Sequence, residues 1–106
     1  MDEARALSLL GLAMRAGQVV SGDDMTEKVV RAGRAGLVLM DQGASANTKD
    51  KYESMCRFRG VSLMETGEES LGRAIGKPGR MVAAVLKGPF SEKVAALLTG
   101  SQRDHN

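Results

Sequence analysis

Aromatic side chains are scarce in this 106-residue chain, which has no tryptophan, one tyrosine (Tyr52) and two phenylalanines (Phe58 and Phe90). A core must therefore be assembled from Leu, Val, Ala and Met, and stacking on single-stranded bases is not the expected mode of meeting a ligand. Cysteine occurs once, at Cys56, which excludes an internal disulfide and agrees with a reducing compartment. The single histidine, His105, stands in the polar terminal stretch, so Ser/His/Asp or Cys/His catalysis is not expected. No apolar run approaches the roughly 18 residues of a membrane span, and Asp2 and Glu3 at the start read unlike a secretory signal. These absences point to the cytoplasm and away from membranes.

What is present is ordinary for one globular domain. Residues 1–100 are enough to bury roughly two thirds of the unfolded surface, and the polar residues 101–106 are expected to fray as a flexible tail. A net charge of +2 permits an anionic partner without demanding one.

Apolar spacing divides the chain into alternating helices and strands. Residues 2–16 read as a helix with Leu7, Leu10 and Met14 on one stripe, widened by Leu9 and Leu12. Gly11 in its middle costs about 1 kcal/mol relative to alanine, which close packing against a neighbour would explain. Val19 and Val20 form a short strand, and residues 24–32 a second helix with Met25, Val29 and Ala32 one turn apart. The continuous run 37–40 suits a strand covered on both faces. Residues 45–59 form a third helix with Tyr52, Met55, Cys56 and Arg59 on one stripe, followed by a strand at 61–64. A short helix through Leu71, Ala74 and Ile75, a strand at 81–86 and a last helix through Phe90, Val94, Leu97 and Leu98 complete the series. Each proposed helix is followed by a glycine, at 17, 33, 60, 76 and 100, where a left-handed cap suits that residue. The alternation argues against a purely antiparallel sheet and points to an α/β/α sandwich.

The junction at residues 15–28 draws the functional reading. Gly22 permits a tight bend into the second helix, whose first amides and partial positive charge suit a phosphate. Asp24 and Glu27 have the spacing of a capping box, and Lys28 adds a full charge one turn in. Asp23 and Asp24 alone are a weak metal signal; capping is the better explanation, and no cofactor is expected. Cys56 lies on an apolar stripe and reads as core, as do the methionines. Residues 72–78 approach a phosphate-binding loop but are one residue short, with Pro78 where a metal-binding Ser or Thr would stand. Enzymatic activity is therefore not expected.

Basic residues cluster. From Ser70 to Ser91 the chain carries Arg73, Lys77, Arg80 and Lys87 and no acidic residue, while Lys28, Arg31 and Arg34 follow one another on and after the second helix. Lys28 beside the 77–80 loop would make an electropositive edge for a structured RNA held by phosphate contacts.

Three segments in order carry a family resemblance: Leu9-Leu10-Gly11-Leu12-Ala13-Met14-Arg15-Ala16-Gly17 with Val20-Ser21-Gly22, then Ala46-Asn47-Thr48-Lys49, then Leu71-Gly72-Arg73-Ala74-Ile75-Gly76-Lys77. Over residues 5 to about 98 the chain resembles the kink-turn-binding ribosomal protein superfamily, and within it the small bacterial YlxQ-like branch. The resemblance implies a three-layer α/β/α sandwich with a four-stranded mixed sheet and about five helices. It also implies non-catalytic binding of kinked RNA, ribosomal or other non-coding, with the ribosome or transcription and translation proteins as candidate company. The contacts it implies are Gly22, Asp23, Asp24, Met25, Lys28 and Arg31 on the second helix, and Ile75, Lys77, Pro78 and Arg80 on the loop before the last strand. Where RNA-binding members commonly carry Asn (sometimes Lys) followed by Glu or Gln, this chain has Asp24 and Met25, losing an amide donor and a polar group able to read a base edge. The alternative is a protein–protein adaptor on the same fold without kink-turn specificity.

Overall fold

The alternation read from the sequence is the observed order of elements. In the computed structural model, which describes residues 2–103, they are α1 (Asp2–Arg15), β1 (Val19–Ser21), α2 (Asp23–Arg31), β2 (Ala35–Asp41), α3 (Ala46–Arg59), β3 (Ser62–Thr66), α4 (Ser70–Ile75), β4 (Val82–Leu86) and α5 (Pro89–Arg103). The strands form one four-stranded sheet in the order β1-β4-β2-β3. The sheet is mixed: β2 and β3 run parallel, while β4 lies antiparallel to both β1 and β2.

Helices cover both faces, which is why β4 and residues 37–40 of β2 are apolar throughout. Leu37, Leu39, Ala83 and Val85 point to a core closed by Leu10 of α1, Leu71 of α4 and Leu98 of α5. Val38, Met40, Val82 and Ala84 point the other way, onto Val29 and Val30 of α2 and Tyr52, Met55 and Cys56 of α3. One extra residue, Gly36, interrupts the β2–β4 register between Ala35 and Leu37 and puts those two side chains on opposite faces.

Four of the predicted glycine stops are real, with φ of 74° at Gly17, 73° at Gly33, 70° at Gly60 and 73° at Gly76. The fifth is not. α5 runs through Gly100 to Arg103, because one glycine weakens a helix by only about 1 kcal/mol. Of the expected tail, residues 101–103 belong to this helix; residues 104–106, with His105, lie outside the described residues. Gly11 does mark a close approach, since a methyl there would lie 3.0 Å from the Ala74 carbonyl oxygen.

Two helix faces differ from expectation. On α2 the inward residues are Thr26, Val29 and Val30, while Met25 and Ala32 face solvent. Met25 is therefore not core filler. Leu12 on α1 is half exposed, and the inward stripe there is Ala6, Leu10 and Ala13. Cys56 is buried in the core as read, and burial pushes its thiol pKa up.

Candidate nucleic-acid interface

Antiparallel pairing sets Ser21 at the end of β1 opposite Ala83 near the start of β4. The turn into α2 and the loop leading to β4 are consequently neighbours. The Gly22 amide donates to the Val82 carbonyl at 3.0 Å, and Gly22 adopts φ 89° and ψ 159°, a conformation open in practice to glycine alone. The Arg80 guanidinium lies directly over Gly22, in space a Cβ would fill. Its Nη1 donates to the Ser21 carbonyl at 3.1 Å and to Ser21 Oγ at 3.4 Å.

The loop has its own local cause. In Lys77-Pro78-Gly79-Arg80 the Arg80 amide donates to the Lys77 carbonyl at 3.2 Å, and Gly79 has φ 88°. Proline then glycine at the two central positions is the composition of a type II turn. Pro78 thus shapes the loop, with Lys77 and Arg80 at its two ends. The Pro–Gly pair was a readable signal for this turn. α4 holds the loop from behind, and its start is seated by the fully buried Asp41, whose carboxylate accepts from the amides of Gly43 (2.8 Å), Glu69 (3.0 Å) and Leu71 (3.3 Å).

On α2 the residues at 24, 25 and 28 share the outward face, with Met25 48% exposed. Gly22 is the N-cap residue, and no side chain caps the helix, so the expected Asp24–Glu27 capping box does not form. Glu27 instead reaches Lys51 Nζ of α3 at 2.7 Å, and within α2 it accepts from Arg31 Nε at 2.8 Å. Asp23 turns the same way. It accepts from the Tyr52 hydroxyl at 2.6 Å and from Lys51 Nζ at 3.0 Å. The Tyr52 hydroxyl, followed by Lys51, holds the Asp23 carboxyl below its usual range, and Lys51, followed by Arg31, does the same for Glu27. Asp23 and Glu27 therefore fasten α2 to α3, whereas Arg31 pairs with Glu27 inside α2 and stays exposed one turn after Lys28. Lys51 and Tyr52 had no local sequence signal for this, since they stand 28 and 29 residues away.

Ile75 is also placed differently from expectation: its side chain is buried in the core with Leu10 and Leu71, where it anchors α4 and leaves only backbone near the loop. The acid-free stretch 70–91 divides. Lys77 and Arg80 stand at one end of β4, whereas the Lys87 amide bonds the Arg34 carbonyl at the other end. Arg73 pairs loosely with Glu69 at 3.7 Å. What the fold brings together is the Gly22 turn, the outer face of α2 and the 77–80 loop.

This chain belongs to the ribosomal protein L7Ae/L30e/S12e/Gadd45 family, whose model matches residues 4–95. It is 44% identical over 91 residues, 85% of this chain and 91% of the relative, to the RNA-binding protein YlxQ of Bacillus subtilis (strain 168). To the RNA-binding protein YlxQ of Enterococcus faecium it is 34% identical over 100 residues, covering 93% of this chain and 96% of the relative. A solved structure of a protein of unknown function from Bacillus halodurans superposes with a TM-score of 0.86 at 40% identity, covering 91% of this chain and 98% of that one. The Giardia lamblia 15.5kD RNA binding protein shares the fold, with a TM-score of 0.77 at 22% identity over 97% of this chain and 90% of that one.

Proposed function

We propose that this chain is a non-catalytic cytoplasmic domain that binds structured, kink-turn-like RNA along the edge made by the Gly22 turn, the outer face of α2 and the 77–80 loop. The observation that carries the reading is Arg80 lying across Ser21 and Gly22, because it joins two cationic segments far apart in sequence into one surface. Lys28 and Lys77 are exposed there and pair with no carboxylate among the described residues. Two relatives named as RNA-binding proteins add support. Backbone phosphates would meet Lys28, Lys77 and the first amides of α2, and base edges would meet positions 24 and 25.

The adaptor reading has one observation in its favour, an apolar groove between α1 and α5 that contains Leu9, Leu97 and the half-exposed Leu12. Titration of a kink-turn RNA and a plain duplex of equal length, over a range of salt, separates the two. Salt-dependent binding supports the RNA reading. Absence of RNA binding, with a protein complex that survives nuclease, supports the adaptor.

A further inference from the structure

One aromatic ring lies where composition does not put it. Phe58, in the last turn of α3, is 83% exposed, whereas Tyr52 is fully buried and Phe90, at the start of α5, packs partly buried against the core. Nothing in the packing of the domain requires a phenyl group there. Its sequence neighbours Arg57 and Arg59 are exposed too. They suit the negative end of α3, but that role gives no reason for the ring between them.

The surroundings of the ring are cationic. Arg59 Cζ lies 6.0 Å from the Phe58 ring centroid. Arg59 Nη1 donates to the Arg31 carbonyl at 2.9 Å, which fixes the guanidinium beside the ring without supplying a counter-charge. A shallow depression between α2 and α3 adjoins the ring, lined by Arg31, Lys51, Ser54, Met55, Phe58 and Arg59. The carboxylates of this face, Asp23 and Glu27, are already held by Lys51 and Arg31. Met55 is buried, so the apolar surface on offer is a single ring face. A protein interface would call for a broader apolar centre, whereas one ring beside a fixed guanidinium matches one base with its phosphate.

We infer that Phe58 is a stacking platform for an unpaired nucleotide, the base lying on the ring and the phosphate turned to Arg59. This inference rests on the RNA reading above but concerns a second surface, at the C-terminal ends of α2 and α3. α2 joins the two surfaces. Its nine residues span about 13 Å, so a single strand leaving the Gly22 turn along this helix reaches Phe58 after a short extension.

The test compares a kink-turn RNA with the same RNA bearing about ten unpaired uridines, appended in turn to each end. On wild type the better-placed tail should tighten binding by at least about fivefold, and Phe58→Ala should abolish that gain while leaving the tailless affinity within about twofold. Phe58→Tyr should retain the gain. Circular dichroism should show the variants folded, since so exposed a ring contributes little to the core. Phe58→Trp adds a tryptophan to a chain that otherwise lacks one, so quenching of its fluorescence by oligouridine reports stacking directly. If the tailless RNA fails to bind wild type, the reading of the Gly22 turn fails, and quenching by oligouridine still decides Phe58 independently. Tails that add nothing, or a tryptophan quenched by polyglutamate and not by oligouridine, overturn the proposal.

Discussion

Gly72 and Lys77 meet backbone to backbone: the Lys77 amide donates to the Gly72 carbonyl at 2.8 Å, and a methyl on Gly72 would lie 2.6 Å from the Lys77 carbonyl oxygen. The same methyl would lie 2.9 Å from the Gly79 amide nitrogen. All these neighbours are main chain, which cannot rotate aside. Gly72→Ala should therefore push the 77–80 turn away from α4 and destabilise the fold by about 1–3 kcal/mol, read as a lower melting temperature. RNA affinity should fall in the same variant, because Lys77 and Arg80 move with the turn. An unaltered melting temperature would show that the loop has room to spare.

Lys28→Ala and Lys77→Ala should each lower the slope of log affinity against log salt by about one, with little change in stability, as both side chains are exposed. Arg80→Ala should differ in kind. It removes the donor to Ser21 and the cover over Gly22, so both affinity and melting temperature should drop. Equal slopes for wild type and both lysine variants, measured by titration, would exclude this edge as the phosphate contact.

The layered fold was legible because both faces of the sheet are covered, so residues 37–40 of β2 and the strand at 81–86 read as unbroken apolar runs. Strand direction was not fully legible, since the antiparallel pairings of β4 join segments distant in sequence. The inward face of α2 was misread for a different reason. Thr26 is fully buried with its hydroxyl unpartnered, so a polar residue occupies a core position and the apolar Met25 beside it faces water. Gly22, Lys77 and Arg80 could be named from the sequence, but the contact that unites them spans 59 residues and has no local pattern. The exposure of Phe58 had no signal in the sequence, where the scarcity of aromatics argued only against stacking.

Tyr52→Phe tests the clasp between α2 and α3. The variant removes the hydroxyl that donates to Asp23 Oδ1 and to the Asp23 carbonyl. A bond to a charged group would ordinarily be worth more, but Asp23 is largely exposed, so the expected loss is about 1 kcal/mol at neutral pH. The acid dependence follows in sign. Asp23 and Glu27 have folded-state pKa values depressed below their ordinary 3.8 and 4.5, so their support is complete above those values and is lost as pH falls through the folded ones. Lys51, raised above its ordinary 10.5, stays charged throughout that window. Wild type should lose melting temperature on acidification from about pH 5 to below about pH 3, and Tyr52→Phe should lose less over the same range. Parallel melting curves for the two proteins across that range would remove Tyr52 from the clasp.

The pair Asp24→Asn and Met25→Glu tests what these two positions do to RNA recognition. Both residues are exposed on the outer face of α2, and neither caps the helix, because Gly22 occupies the N-cap without a side-chain bond. Substitution there should leave the fold intact. The double variant exchanges one carboxylate for another within the first turn, so net charge and the favourable interaction with the helix N-terminus change little. Its salt slope should match that of wild type, and any change in discrimination then reflects hydrogen bonding. The introduced asparagine supplies a donor and an acceptor, and the introduced glutamate an acceptor for guanine's amino edge. By analogy with groove readout on DNA, a good base-edge contact discriminates by roughly 1–3 kcal/mol, so preference for a kink-turn over plain duplex should rise about tenfold. Wild type should show only a weak preference at the same fixed salt. A wild type that already binds the kink-turn tightly and selectively would mean that Asp24 and Met25 read the RNA as they stand. A folded double variant with no gain would move the base contacts elsewhere on the edge, or replace the kink-turn by another RNA structure.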